Sequence, residues 1–332
     1  MASAKRLLKI LLGLGVSVLL LAYLFWTVDL GDVAARLRSA HWGWLAVAAA
    51  LNLGSMWVRA RRWRYLFPPG ARPARLFNAV MIGFMGNNLL PLRAGEVVRV
   101  YVVHRRGQPF WTTVATVVVE RVLDALAIGL MLAVLILLIP MRAELKWSAL
   151  LFMSVDLLAM GVLGLLAVQP VRCRRLARAL VGRWPRLEAP TLRVVDTFNE
   201  GLRGVRARGH LLPLIGWSAA IWVTLAVAVW TAFVAVDLAL PFTAAWVVLA
   251  FMGLGVSLPS SPGFVGVIQA ATVLALELFG VARAEALSFS LLLHAAQFFP
   301  VTAWGLALLA VEHVSLGEAA RAAPPPPAPV PR

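Results

Sequence analysis

Six apolar runs of membrane length limit what this chain can become. They fall at about 7–26, 42–60, 111–139, 147–168, 211–236 and 285–310. An α-helix rises about 1.5 Å per residue, so roughly 20 apolar residues cross a hydrocarbon core of about 30 Å. Lipid offers no partner to a peptide N–H or C=O, so a segment at that depth must satisfy its backbone internally, as a helix does. The expected fold is therefore an all-α polytopic membrane protein with about six spanning helices. Composition agrees: 61% of the residues are hydrophobic and 14% charged, where soluble domains run at roughly half and a quarter. The first run, "LLKILLGLGVSVLLLAYLFW", has the outline of a signal peptide. It ends at Tyr23, Phe25 and Trp26 instead of at a small-residue cleavage site, which reads as a retained helix with an aromatic interfacial end. Residues 313–332 form a proline-rich tail and are expected to be disordered.

Charge sets the orientation. The chain holds 31 Lys and Arg against 15 Asp and Glu, a net charge of +16. In a soluble protein that excess would suggest nucleic acid. Here the basic residues gather beside apolar runs, at 5–9, 59–75, 93–106 and 170–210, as in loops retained on the cytoplasmic side. No nucleic-acid partner is expected. The expected location is the inner (cytoplasmic) membrane, multi-pass, with the N-terminus in the cytoplasm. The 170–210 segment carries ten arginines, and within it Leu192, Val195, Phe198, Leu202 and Val205 recur at helical spacing. That stripe suits a basic amphipathic helix lying on an anionic leaflet; the plainer reading is a solvated loop helix. One cysteine, Cys173, and five scattered histidines give no disulfide and no metal-ligand spacing. The motifs G-x-x-x-x-G-K-[ST], H-E-x-x-H and G-x-S-x-G do not occur, so no ATP-driven pump, metal or cofactor is expected.

Two further apolar stretches are interrupted by polar, helix-breaking residues. The first, 76–92, lies between two basic loops, so it must enter and leave the membrane on one side. It is expected to be re-entrant. Its end resembles a second stretch: "FMGNNLLPLRAGEVVRV" at 84–100 and "FMGLGVSLPSSPGFVGVI" at 251–268. Phe84-Met85-Gly86 matches Phe251-Met252-Gly253, and Leu90-Pro91 and Gly95 match Leu258-Pro259 and Gly263. Counting crossings, the first copy is entered from the cytoplasm and the second from outside. The chain then holds two inverted re-entrant hairpins inside a membrane domain at 1–312, with repeat one at about 42–139 and repeat two at about 211–310. Inverted repeats with broken helices meeting near the midplane recur in secondary transporters. A helix broken at Pro91 and Gly95, or at Pro259, Pro262 and Gly263, leaves backbone N–H groups at a new N-terminus, where anions bind. Arg93 and Arg99 flank the first break beside Asn87 and Asn88; Ser260 and Ser261 lie at the second.

A third feature is "ERVLD", which places Glu120, Arg121 and Asp124 about ten residues into an apolar run. Each charge at the bilayer centre costs about 2.5–3.5 kcal/mol, so the three must be paired. Arg121 and Asp124 can pair at i,i+3, and Glu96, Arg99 and Arg93 are further candidates. Asn52, Asp156, Glu277, His294 and Gln297 also interrupt apolar segments. Single polar residues in a bundle most often hydrogen-bond a neighbouring helix.

Taken together, "NNLLPLRAGEVVR" (87–99), "ERVLD" (120–124) and "LPSSPGFVGVIQAA" (258–271) resemble the flippase-like family, also called the lysylphosphatidylglycerol synthase transmembrane-region family. The likeness covers roughly 5–312. It implies a lipid-translocating membrane domain. Fused members such as the multiple peptide resistance factor flip aminoacylated phosphatidylglycerol, and stand-alone relatives are associated with polyprenyl-lipid glycan pathways. It carries importance to Arg93, Glu96, Arg99, Glu120, Arg121 and Asp124. The soluble domain that makes lysyl-lipid does not occur in the sequence, so neither the synthase activity nor the lysyl substrate is carried over. The expected function is a flippase, not an enzyme, for an anionic phospholipid or a polyprenyl-phosphate-linked lipid. Arg93, Arg99 and Arg121 would hold the phosphate, with Asn87, Asn88, Ser260 and Ser261 as further donors. Glu96, Glu120 and Asp124 would orient the arginines or couple transport to protons. A membrane lipid or glycosyl transferase, an accessory subunit partnering a lipid-synthesising enzyme, and a small-solute carrier are the alternatives these residues leave open.

Overall fold

The computed structural model describes residues 15, 18–24, 26, 30–71, 73–138, 143–257 and 261–314. Among them the chain forms helices and turns and no strand. Four helices are long and apolar enough to cross a membrane: Phe110–Leu138, Lys146–Val168, Leu211–Ala235 and Arg283–Val311. The expected first span lies mostly outside the described residues, with 18–24 helical. The proline-rich tail also lies outside them from 315 onward, and so do Pro259 and Ser260.

In chain order, α1 (Leu30–Ser39) is a short helix with no counterpart among the expected segments. It packs against the last helix, where Arg36 pairs with Glu285 at 2.6 Å. The next helix, α2 (Trp42–Leu66), is the expected second span but overruns its expected end by two turns. Its tail, "RARRWRYL", has the composition of a basic loop, yet arginine is a good helix former. What stops the helix is Pro68: Phe67 before it is extended at φ −75°, ψ 151°, because a residue preceding proline is pushed out of the α region.

Both interrupted stretches fold as helical hairpins. In the first, α3 (Leu76–Leu89) ends at Leu90, which Pro91 holds extended; a 3-10 turn at Pro91–Arg93 follows, and α4 (Gly95–Arg105) runs back along α3. After α5 (Phe110–Leu138) and α6 (Ala143–Val168) come three helices of the basic segment, α7 (Pro170–Val181), α8 (Pro185–Gly201) and α9 (Arg203–Arg206). The second hairpin follows α10 (Leu211–Ala235): α11 (Phe242–Val256), a 3-10 turn at Pro262–Phe264, and α12 (Val267–Glu277). The last helix is α13 (Arg283–Val311). At about 1.5 Å per residue, limbs of 11 to 15 residues reach about 17–23 Å, short of the hydrocarbon core.

The lengths match pairwise. The helices before the hairpins, α2 and α10, have 25 residues each, and those after them, α5 and α13, have 29 each. The turns match in conformation too. Leu92 and Arg93 have φ of 59° and 54°; Gly263 and Phe264 have 67° and 58°. This geometry sets Pro91-Leu92-Arg93 against Pro262-Gly263-Phe264, not Pro91 against Pro259. The extra residues of the second copy precede its turn.

Two cores flank the centre. One is built on the second hairpin with α10 and the first half of α13, the other on the first hairpin with α2 and the second half of α13. Close approach requires glycine at Gly95: a Cβ there would lie 2.0 Å from the Gly83 carbonyl oxygen and 2.4 Å from the Asn87 nitrogen. The apolar stripe of the basic segment faces protein instead of lipid. Leu192 and Leu202 are buried, Phe198 and Val205 pack into the core of the first hairpin, and α8 lies against α5. Among the described residues, the large apolar side chains exposed in that segment are Val171, Leu176 and Leu180 of α7, and Trp184.

Candidate functional site

At the middle of the bundle, α2, α4 and α5 bring a set of ionised side chains together. The long helix α5 supplies Glu120, Arg121 and Asp124 on adjacent turns. From α2, Arg62 Nη1 lies 2.7 Å from Asp124 Oδ1 and Nη2 lies 3.8 Å from Glu120 Oε1, with the Arg62 and Glu120 side chains both 0% exposed. Arg59, one turn earlier, reaches Asp124 Oδ2 at 3.0 Å. From α4, Arg99 grips Glu120 with both ends of its fork, at 3.2 and 3.1 Å. Arg121 lies 2.5 Å from Glu120, 3.4 Å from Asp124 and 3.7 Å from Glu96. Aromatic rings complete the setting: Arg99 lies over Trp63 at 4.6 Å and Arg59 over Phe84 at 5.3 Å. Trp63 donates its indole N–H to Thr116 Oγ1 at 2.9 Å. Four guanidiniums therefore face three carboxylates. Such a buried network holds only while every member is paired, because removing one partner strands a charge at low dielectric.

Arg59 and Arg62 are the residues sequence reasoning missed. In the sequence they belong to the 59–75 run of loop charges that sets orientation. The available signal was their i,i+3 spacing on a helix that can only end at the Pro-Pro-Gly turn. Of the expected members, Arg99, Arg121, Glu96, Glu120 and Asp124 are brought together. Arg93 is not. It leaves the cluster and donates through Nη2 to the carbonyl of Val256, at the end of α11, while its guanidinium lies over the Phe264 ring at 5.6 Å. Arg93 thus bridges the two hairpin tips and stacks on the residue that holds its own position in the other turn.

The tips meet closely. A Cβ on Gly263 would lie 2.7 Å from the Phe298 ring and 3.3 Å from the Asn88 carbonyl. Asn88 donates to Thr302 Oγ1 at 2.9 Å and to the Phe298 carbonyl at 3.4 Å, tying the first tip to α13. Asn87 Oδ1 is buried with no hydrogen-bond partner among the described residues. The Ser261 hydroxyl donates to the Val265 carbonyl of its own turn at 3.1 Å. His294 takes the plainer of its readings, with Nδ1 2.9 Å from Gln269 Nε2, while Gln269 Oε1 accepts from the Gly266 N–H at 2.7 Å and caps α12.

Two cavities lie between the tips and share Arg59, Phe84, Leu249, Met252 and Val256 as a wall. The larger, about 330 Å³, is lined by Arg59, Arg93, Arg121 and Asp124 with Trp222 and Ser257. The smaller, about 210 Å³, is lined by Asn52, Asn88, His294 and Gln297 among apolar residues. Arg93 forms no salt bridge among the described residues, with Glu96 acting on it only from a longer distance; three guanidiniums and one carboxylate line the larger cavity.

The chain is 29% identical over 347 aligned positions to the glycosyltransferase AglD of Haloferax volcanii, an alignment covering 94% of this chain and 55% of that protein. The chain thus spans about half the length of that relative. No solved structure matches. The model of the lysylphosphatidylglycerol synthase TM region matches residues 10–305, and the chain belongs to that family.

Proposed function

We propose that this protein moves a lipid with an anionic phosphate headgroup across the membrane, through the cavity where the hairpin tips meet. One observation carries the reading: Arg59, Arg93 and Arg121 face a space of about 330 Å³, a volume typical of small-ligand sites. Planar guanidinium forks match phosphate oxygens and remain charged when desolvated. The α4 N-terminus, at Gly95 beside Arg93, adds its partial positive charge. Arg99 has a different role from Arg93. It does not line that space; its fork lies on Glu120, and it fixes the hairpin to α5.

The two hairpins are read as re-entrant, dipping from opposite faces as inverted repeats. Their limbs are too short to span, and their turns share one conformation. Alternating access then follows from rocking one repeat against the other around the arginines. The lipid tail has a place as well. Along the same α5–α11 seam, an apolar groove of about 470 Å³ continues past the cavity, lined by Leu130, Met131, Val134, Thr243 and Trp246. The basic end of the bundle is assigned to the cytoplasm, and the exposed apolar residues of α7, among its arginines, are read as its contact with an anionic leaflet.

The test is movement of fluorescent phosphatidylglycerol in proteoliposomes, followed by chemical quenching of the exposed leaflet. Wild type is expected to exceed empty vesicles, and Arg93→Ala to lose at least tenfold while remaining monodisperse. Wild-type rates equal to empty vesicles, with phosphatidylglycerol and with a polyprenyl phosphate alike, would reject the transport reading. The likeness to a glycosyltransferase supports a second reading, a membrane part of a lipid-linked glycosyl transfer system; transfer from a radiolabelled sugar donor to polyprenyl phosphate by the purified chain would favour it.

A further inference from the structure

Not all arginines at the end of α2 turn inward. Arg61 and Arg64 lie one turn apart on its outer side, exposed, while Arg59 and Arg62 are buried. Three other exposed arginines at this basic end have acidic partners, Arg174 with Asp196, Arg178 with Glu188, and Arg203 with Glu200, whereas Arg172, Arg175, Arg183, Arg193 and Arg208 are exposed without a salt bridge and line no shared cavity with Arg61 and Arg64. Arg61 and Arg64 likewise have no acidic partner among the described residues. They face a common cavity of about 370 Å³ shared with Tyr65, Gly70, His210 and Trp217.

The cavity is built from three separate parts of the chain, and each is fixed. The Pro68–Ala71 turn closes with Ala71 N–H donating to the Pro68 carbonyl at 3.0 Å, with Gly70 at φ 87°. His210 Nδ1 lies 2.9 Å from the Tyr65 carbonyl and 3.0 Å from the Gly204 carbonyl. Both partners are acceptors, so Nδ1 carries the hydrogen and Nε2 is left over. The Tyr65 ring meets the His210 ring edge to face at 5.4 Å. Beneath them α9 is pressed onto the end of α2, since a Cβ on Gly204 would lie 2.1 Å from the Leu66 carbonyl oxygen. On the membrane side the Arg61 guanidinium lies over Trp57 at 4.7 Å, and Trp57 meets Trp217 edge to face at 5.9 Å. Tryptophans of this kind mark the headgroup level.

We propose that this cavity is a second anion site, which holds the phosphate of an anionic lipid in the leaflet at the basic end. The site is separate from the cavity between the hairpin tips and shares no residue with it. Two unpaired guanidiniums at headgroup depth suit a phosphodiester, and basic pockets between membrane helices on this side are where anionic headgroups dock. A lipid held there would couple the loop that opens the first hairpin, residues 67–71, to the start of α10.

The experiment is thermal unfolding of the purified full chain in detergent, titrated with dioleoyl phosphatidylglycerol, dioleoyl phosphatidylcholine or inorganic phosphate. Four proteins are compared: wild type, R61A/R64A, R93A, and R183A/R208A, the last removing the same charge outside the cavity. Phosphatidylglycerol is expected to raise the melting temperature of wild type, R93A and R183A/R208A. The R61A/R64A protein should need about tenfold more lipid or more for the same rise, and phosphatidylcholine should have no effect. Retention of the effect in R93A separates this site from the transport cavity. If R183A/R208A loses as much as R61A/R64A, the effect is diffuse surface charge and the site is overturned. If inorganic phosphate protects wild type as well as the lipid does, the lipid assignment is overturned. Should the double variant fail to fold, the single variants R61A and R64A carry the same comparison.

Discussion

Arg62 sits 2.7 Å from Asp124 and 3.8 Å from Glu120 with no exposed surface, and Arg93 sits between the hairpin tips with no salt bridge among the described residues. These two arginines separate stability from function. Removing Arg62 strands carboxylates in the interior, and truncating one member of a buried network costs about 3–5 kcal/mol. Arg62→Ala should therefore lower the detergent melting temperature sharply or abolish the monodisperse protein. Arg99→Ala should follow it, because Glu120 loses its bidentate partner. Arg93→Ala removes one hydrogen bond to a carbonyl, worth about 1.5–3 kcal/mol, and is expected to keep its fold while lipid movement drops. Equal loss of stability in R93A and R99A would break that division. The sequence made five members of the cluster legible, since charges inside an apolar run must be paired. It did not show Arg59 and Arg62, because an arginine after a span looks the same whether it faces water or turns back into the bundle.

At the scale of elements, the hairpins were legible from two short apolar stretches that end in proline and glycine. Their limbs, turns and the role of Gly95 follow from local chemistry. Gly95→Ala would drive a methyl group to 2.0 Å from the Gly83 carbonyl oxygen, where no side chain can yield. A loss of at least about 3 kcal/mol is expected. Gly107→Ala is the control: φ there is 91°, and nothing lies within 4 Å of the added Cβ, so only the left-handed strain of about 1–2 kcal/mol remains. Melting temperatures of the two variants compare them directly, and similar values would mean that the α3–α4 contact is not held closed. The register between the two hairpins was beyond the sequence. Residue matching favoured the two Leu-Pro pairs, whereas the conformation places Pro91 opposite Pro262. The amphipathic stripe at 192–205 also misled, because periodicity reports an apolar face and not what covers it.

On the scale of the whole molecule, one polar clamp joins the far end of the chain to the mouth of the first hairpin. Arg106 donates to the carbonyls of Ala74 and Arg75 at 3.0 and 2.9 Å and pairs with Glu312 just past α13. Asn78 donates to Glu312 Oε1 at 2.7 Å. Burial pushes the Glu312 carboxyl upward, but the bonds from Arg106 and Asn78 outweigh it and hold it below its usual range. A group depressed in the folded state adds stability above its unfolded value of about 4.3, and that stability is lost as the pH falls further. Glu312→Gln should therefore melt below wild type at pH 7, with the gap closing below about pH 4. A gap that stays constant with pH would assign the contact to packing.

The sequence by itself determined that this chain lives in a membrane as a helical bundle, where its breaks fall, and that the charges of "ERVLD" need partners. Those are consequences of backbone satisfaction and of the cost of ions in lipid, and both act on local stretches. Only the tertiary structure decided which arginines answer those charges and which one crosses to the other hairpin. Such pairings join residues as far apart as Arg93 and Val256, and helix packing alone brings them within a hydrogen bond of each other.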